Sequence, residues 1–406
     1  MTARHQVSRV EPQQLYASPN ALAPHYSRFR VAERLLLTGH SHQAWPDCGF
    51  RGQVRAWEDA AEHLDGKWER AFAKASRVRA AWKRLLDDPE GHVALGANTH
   101  ELVVQFLSAL PLRRRPVIVT TDGEFHTLRR QLDRLGEAGL EIRKIASHPI
   151  TDLAARLAAS VDDRTAAIAV SAVMFRSGRI VPELGDVAAA CEQVGAQLLV
   201  DAYHALNVVP FSVRELGLER AFVVGGGYKY CQLGEGNCFL RFPSECRLRP
   251  VVTGWFSEFA SLAKDPHEEV VYGEGAARFA GATYDPTSHY RAVEVFEFFD
   301  RTGLDPATLR RVSQHQMRLL ADRFDALDLD PELVGRDRDL PIEQIGGFLC
   351  LRSPQAARIS AGLLQRGVST DSRDSILRLG PAPYLSDDQI GAAIAALGEV
   401  VRELHS

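Results

Sequence analysis

The chain has 406 residues, enough for two domains built around one large core and one smaller one. Its 45% hydrophobic and 25% charged residues are those of an ordinary globular protein, and a formal net charge of −4 argues against nucleic acid or an anionic membrane as partner. No run approaches the roughly 18 apolar residues of a membrane span. Met1 to Pro19 is polar, without the apolar centre of a secretion signal, and six cysteines without a C-x-x-C pair suit a reducing cytoplasm better than a disulfide framework or a zinc site.

In chain order, residues 1–50 read as an extended N-terminal arm that joins a small domain. Val54 to Leu86 reads as one long helical region, with Trp57, Leu64, Trp68, Phe72 and Trp82 as a core or subunit-interface stripe. From about residue 92 the pattern alternates. Val93–Leu95 is strand-like, Glu101–Leu110 helical, Pro116–Thr120 strand, Thr127–Gly136 helical and Leu140–Ile145 strand. Helix Leu153–Ser160, strand Ala166–Val173, helix Glu183–Val194 and strands Leu198–Asp201 and Ala221–Val224 continue the series. Such alternation predicts an α/β fold with a mainly parallel, seven-stranded-type sheet covered by helices on both faces. Helices at Tyr290–Arg301 and Pro306–Leu327 lead to strand Gly347–Leu351, helix Gln355–Arg366, strand Ile376–Leu379 and helix Asp387–Leu404, a smaller C-terminal α+β unit. The expected domains are therefore 51–290 (large, cofactor-binding) and 291–406 (small).

Ligands of such sheets sit outside the carboxyl ends of the strands, where Asn98, Phe125, Ser171, Asp201 and Lys229 all fall. Asp201 ends the apolar run Leu198–Val200 and is followed by His204, while Phe222–Val224 runs into Gly225-Gly226-Gly227-Tyr228-Lys229-Tyr230. An acid and a lysine at two strand ends are what pyridoxal 5'-phosphate (PLP) needs, a carboxylate for the pyridine nitrogen and an amine for the Schiff base. The other lysines are Lys67, Lys74 and Lys83 in the charged helical region, Lys144 in a strand-like run and Lys264 in a polar loop. Gly225–Gly227 lack dinucleotide-loop spacing and read as room for backbone to approach the cofactor. His40, His42 and His63 lack a cysteine or carboxylate partner at ligand spacing, so no metal is expected.

With these residues placed, the chain resembles kynureninase, within the class V aminotransferase-like group of fold type I PLP enzymes. Asp201-Ala202-Tyr203-His204 resembles the family's Asp-x-x-His, Tyr228-Lys229-Tyr230 its Tyr-Lys-Tyr and Gly254-Trp255-Phe256 its Gly-Trp-Phe/Trp. Arg278-Phe279 to Pro286, and Arg373 with Arg378 to Tyr384, resemble two further segments. The resemblance implies Lys229 as the Schiff-base lysine, Asp201 as partner of the pyridine nitrogen and His204 as a second cofactor contact. It implies that Asn98 and Thr99 open a helix that holds the phosphate. Phe125 would stack on the ring, with Thr127 and Ser171 beside it and Tyr228 reaching the phosphate. Trp255 and Thr283 match positions that reach the neighbouring subunit's phosphate, which implies a homodimer with shared sites. Arg378 would clamp the substrate carboxylate, and His40 and Ser41 would stand at the substrate.

Departures from the family lie on the substrate side. Gly39-His40-Ser41-His42-Gln43 replaces Gly-Asn-Ser-Leu-Gly, and Phe125-His126-Thr127-Leu128 replaces Phe-Pro-Thr/Ser-Asp, so an acidic cofactor-side residue is missing there. Gly254-Trp255-Phe256-Ser257-Glu258 replaces Gly-Trp-Phe-Gly-His. The resemblance implies hydrolytic Cβ–Cγ cleavage of a kynurenine-type amino acid by Lys229 and Tyr228, giving alanine and an aryl acid. The alternative is a class V aminotransferase or a Cβ-lyase acting on another small-molecule amino acid. No cysteine occurs in Gly367–Ser375, which argues against a persulfide mechanism, and no attached DNA-binding region suggests a regulator.

Overall fold

The computed structural model of the chain describes residues 9–262 and 269–404, so Met1–Ser8 of the polar N-terminus and Lys264 lie outside the described residues. The N-terminal segment carries α1 (Pro12–Tyr16), two 3-10 turns (Ala23–Phe29 and Val31–Glu33) and β1 (Leu35–Leu36). It is less extended than its polar sequence suggests. Pro12 opens α1, the Glu11 and Gln14 side chains cap it reciprocally, and Tyr26 is fully buried.

Helices α2 (Asp47–His63) and α3 (Lys67–Leu85) follow where one helical region is expected. The break falls at Leu64, whose φ of 45° lies in the left-handed region, and Asp65 and Gly66 complete a 3-10 turn before α3 resumes. The aromatic stripe accordingly faces two ways. Trp82 is fully buried with its ring 4.5 Å from Phe239, whereas Trp57 is 80% and Leu64 74% exposed.

The large unit then runs β2 (His92–Gly96), α4 (Thr99–Ser108), β3 (Val117–Thr121), α5 (His126–Glu137), β4 (Glu141–Ile145) and α6 (Leu153–Ala159). It continues with β5 (Thr165–Ser171), α7 (Leu184–Val194), β6 (Gln197–Asp201), β7 (Phe222–Gly226) and β8 (Cys238–Phe242). These strands make one seven-stranded sheet in the order β2-β8-β7-β6-β5-β3-β4. Strands β3 to β7 are parallel, and β8 lies antiparallel to both of its neighbours. Every residue of β5 is buried, as expected of a strand covered on both faces. After β4 at the edge, the chain returns across β3 to β5, so the strand order reverses between β3 and β5. Such a reversal opens a crevice at the carboxyl ends of the strands.

β8 is the strand that sequence pattern alone did not reveal, because Arg241 interrupts its apolar run. Arg241 and Asp88 side chains are 2% and 4% exposed and bond at 2.5 Å (Nε to Oδ2), while Arg241 Nη1 donates to the carbonyls of Leu218, Glu219 and Ala221. A partner 153 residues away thus makes a charged residue acceptable inside the sheet.

The C-terminal part holds α8 (Thr287–Thr302), α9 (Pro306–Asp325), β9 (Leu349–Arg352), α10 (Ala356–Gln365), β10 (Val368–Ser369), β11 (Asp371–Arg373), β12 (Ile376–Leu379) and α11 (Asp387–Leu404). β11, β12 and β9 form an antiparallel sheet. β1 pairs in parallel with β10, and Thr38 bridges Gly380. The N-terminal segment is thereby fixed beside the C-terminal sheet and over the crevice. Among the described residues no helix is long and apolar enough to cross a membrane.

Asp88→Ala would leave Arg241 buried and uncompensated. We expect a loss of about 3–5 kcal/mol of stability, measured by urea unfolding, with Asp88→Asn losing less because it keeps an acceptor.

Candidate functional site

The carboxyl ends of β3, β5, β6 and β7 open onto a cavity of about 940 Å³. Asn98, Thr99, Phe125, Thr127, Ser171, Asp201, His204, Tyr228 and Lys229 all line it. Residues spread over more than a hundred positions converge because each follows a strand of one parallel sheet or opens the next helix. α4 and α5 both point their amino ends at the cavity, offering unpaired amides and favourable dipoles to an anion. Asn98 acts as the cap of α4, accepting from the Glu101 amide at 2.9 Å and donating to the Glu101 carboxylate at 2.8 Å. Its side chain is engaged by the helix, which leaves Thr99 and the first amides to face the cavity.

Lys229 is buried at the floor of the cavity. Burial, partly offset by the Asp201 carboxylate and reinforced by Arg378, lowers its ammonium to about 7. Its Nζ lies 2.7 Å from His204 Nε2 and 4.9 Å from the centre of the Tyr203 ring. Burial and then Lys229 hold His204 well below the usual histidine range, so its ring is neutral, and its Nδ1 has no hydrogen-bond partner among the described residues. Asp201 is raised by burial and accepts from the Tyr203 amide at 2.9 Å, leaving carboxylate capacity directed at the cavity. Phe125 meets Phe175 edge-on at 5.0 Å and forms a wall above Lys229. Burial raises the Tyr228 phenol to about 12, so it stays protonated.

Glycines 225–227 are required by packing within the protein itself. A Cβ at Gly226 would fall 2.5 Å from the Tyr203 hydroxyl and 2.6 Å from Cys238 Sγ, and one at Gly227 would fall 2.6 Å from Leu233. Protein side chains take up the space a Cβ would need.

Arg378, His40 and Ser41 do not line this cavity. Arg378 is 2% exposed, donates from Nε and Nη2 to the two oxygens of Asp371 at 2.9 and 2.5 Å, and from Nη1 to the Phe175 carbonyl at 3.0 Å. His40 Nε2 lies 2.8 Å from the same Asp371. Burial lowers His40 to about 4, so the neutral ring donates to Asp371; these bonds outweigh burial and hold Asp371 well below the usual carboxylate range. Arg378 thus already holds a resident carboxylate, with its remaining N–H groups beside Phe175. Ser41 bonds to His42 instead, and the His42 ring stacks on Tyr228 at 4.7 Å.

Trp255 and Thr283 also lie away from the Lys229 cavity. Trp255 is 44% exposed and packs on Phe256, while Thr283 lines a second cavity of about 1040 Å³ with Phe256, Tyr284 and Arg79. Ala97, Glu235 and Gly236 line both cavities, so the two adjoin.

A buried acid stands behind the cavity lining, bonded to Ser171. Glu124, one residue before Phe125, is buried and accepts from Ser171 Oγ at 2.5 Å, Thr121 Oγ1 at 2.7 Å and the Ser171 amide at 3.3 Å. An acid just beyond a buried strand was the signal that marked Asp201, and Glu124 carries it too.

No family model matches the chain. It is 24% identical over 387 residues to a kynureninase of Bacillus thuringiensis subsp. konkukian, covering 92% of this chain and 85% of the relative. It is 22% identical over 344 residues to the uncharacterized aminotransferase YcbU of Bacillus subtilis, covering 84% and 88%. Its fold matches that of a C-DES variant with glycine covalently linked to its PLP cofactor, with a TM-score of 0.79 at 14% identity over 93% of this chain and 98% of the other. Fold and site define a PLP-dependent enzyme of fold type I. In sequence the chain is similar to kynureninases and to an aminotransferase.

The residues present fit PLP. A buried amine lowered to about 7, a buried acid at the neighbouring strand end, two helix amino termini and an aromatic wall surround one space of sufficient volume. In cofactor-free protein, labelling of Lys229 by an amine reagent should rise with a midpoint near pH 7, because the amine is protonated and inert below it. Asp201→Asn removes the charge that favours the ammonium, so the midpoint should move to lower pH. Peptide-resolved competitive labelling across pH 5–10 checks both.

Proposed function

We propose that this enzyme cleaves the Cβ–Cγ bond of a kynurenine-type amino acid with water, giving alanine and an aryl acid. The observation that carries the cofactor part of this reading is the buried Lys229 amine beside Asp201 and His204. The reaction part is supported by the likeness to kynureninase across 92% of the chain and by the ordered motifs around Lys229, Trp255 and Arg378.

PLP, when bound, supplies an electron-withdrawing ring for chemistry at the amino-acid α-carbon. Asp201 holds a proton on the ring nitrogen by charge pairing. Phe125 fixes the plane of the ring, and Thr99, Thr127 and the first amides of α4 and α5 receive the phosphate. Lys229, with a pKa near neutrality, both takes and returns a proton at pH 7, which suits a group that shuttles the α-proton. His204 Nε2 keeps the Lys229 nitrogen on the cavity floor. Tyr228, protonated and covered by His42, donates to an oxygen of the substrate side chain as water adds. Asp371 and His40 hold Arg378 in one orientation, from which its remaining N–H groups receive the substrate carboxylate.

A homodimer completes this reading. Phe50, Val54, Trp57 and Leu64 on or beside α2, and Trp255 and Phe259, are exposed large apolar residues, an arrangement that favours burial against another subunit. Trp255 and Thr283 would then reach the partner's phosphate. The six free cysteines accord with a cytoplasmic setting.

Transamination, or Cβ-elimination, of another amino acid is the second reading, supported by the aminotransferase relative and by the departures at His40 and Glu258. A persulfide mechanism is disfavoured because Cys350 is held in β9 by the Arg176 carbonyl and its thiol is pushed up to about 12 by burial.

Borohydride reduction followed by peptide mapping should label Lys229, and a label on any other lysine sinks the assignment. Kynurenine should yield anthranilate and alanine, with Arg378→Ala losing about 2–5 kcal/mol in kcat/KM. Keto acid without anthranilate would favour transamination, and pyruvate with sulfide would favour elimination. Mixing Lys229→Ala with Trp255→Ala subunits should restore at most one competent site per dimer, as read by activity after sedimentation confirms the dimer. A fully active monomer would overturn the shared site.

A further inference from the structure

Glu124 is a buried carboxylate without a cation partner among the described residues, and the reaction above does not use it. It follows β3 and reaches across the switch point to the end of β5, where both its oxygens are engaged by Ser171 and one also by Thr121. Ser171 lines the cavity and pairs in register with Asp201 on β6. Asp201 therefore faces the cavity while Glu124 stands behind its lining, bonded to the serine that neighbours Asp201 in the sheet and close enough to feel its charge. A network needed only to tie β3 to β5 would be served equally by neutral side chains, at no desolvation cost for a charge.

We propose that Glu124 is a positioning residue that, through Ser171, adds negative charge behind Asp201 and so strengthens the hold on a protonated pyridine nitrogen. This rests on the PLP reading. The charged groups that face Glu124 are Asp201 at the end of β6 and, beyond it, Lys229 after β7; the neighbouring His204 is neutral. Burial raises Glu124 to about 7, bonds from Ser171 and Thr121 lower it, and Asp201 raises it further. A cation bound at Asp201 favours ionised Glu124, so the occupied protein carries fewer protons. Binding must then tighten as pH rises through neutrality.

The test is PLP affinity, measured by equilibrium ultrafiltration from pH 5.5 to 8.5 in Lys229→Ala protein, which removes the covalent link and the lysine's own titration. Adding Glu124→Gln preserves the shape and leaves the site permanently neutral. The two proteins should bind equally at pH 5.5, and the Gln variant should be weaker by roughly tenfold at pH 8.5, the factor for a one-unit fall in the acid's pKa on occupancy. Adding Ser171→Ala instead removes a donor to ionised Glu124, so the pH at which affinity rises should move upward. An affinity ratio that stays constant across pH overturns the role of Glu124 while leaving the cofactor assignment standing. Absence of PLP binding in Lys229→Ala protein, together with no borohydride label on Lys229 in the unaltered enzyme, overturns both.

Discussion

Desolvation of the Lys229 amine at the carboxyl edge of a parallel sheet is the constraint around which the site is arranged. An ammonium in that position is disfavoured by burial, and Asp201 at the neighbouring strand end, with a smaller part from Asp371, opposes the loss. The amine consequently sits near neutrality and within 2.7 Å of a histidine that burial keeps uncharged. His204 cannot take up the charge that the lysine gives away. The balance depends on strand register, because β6 ends at Asp201 beside Ser171 of β5 and Val224 of β7.

A second buried cation lies a short distance away with a carboxylate bound to it. Arg378 is also deeply buried, and Asp371 meets it with both oxygens while His40 holds the same carboxylate. Phe175 and Phe348 flank the guanidinium at 4.9 and 5.5 Å, excluding water from it. The N-terminal segment contributes His40 to this cluster and His42 to the cover of Tyr228. Its pairing with β10 therefore fixes both His40 at the Arg378 cluster and His42 over Tyr228.

The α2–α3 region has one packed face and one exposed apolar face. Trp82 and the Arg241–Asp88 pair fasten α3 and the loop after it to β8, and neither leaves a surface free. The break at Leu64 turns α2 aside, and its apolar residues remain at the surface with those of the Trp255 turn. Exposed apolar area of that kind carries a continuing cost in water, which association removes.

Lys229, Asp201 and most of the sheet were legible in the sequence because their signals are local. A buried strand shows as a short apolar run, and a polar residue just past its carboxyl end must face the crevice. Helix ends followed in the same way, and the strand Ile376–Leu379 and helix Asp387–Leu404 lie where the pattern put them. The remainder depended on contacts between distant segments. Arg241 looks like a strand breaker until Asp88 is placed beside it, Leu64 ends a helix only when the turn around it is built, and His40 finds its acceptor 331 residues away. Glu124 is the clearest case. One sequence reads the same for a solvated acid in a turn and for a buried acid behind a cofactor cavity, and only the approach of β5 to β3 removes the water that distinguishes them.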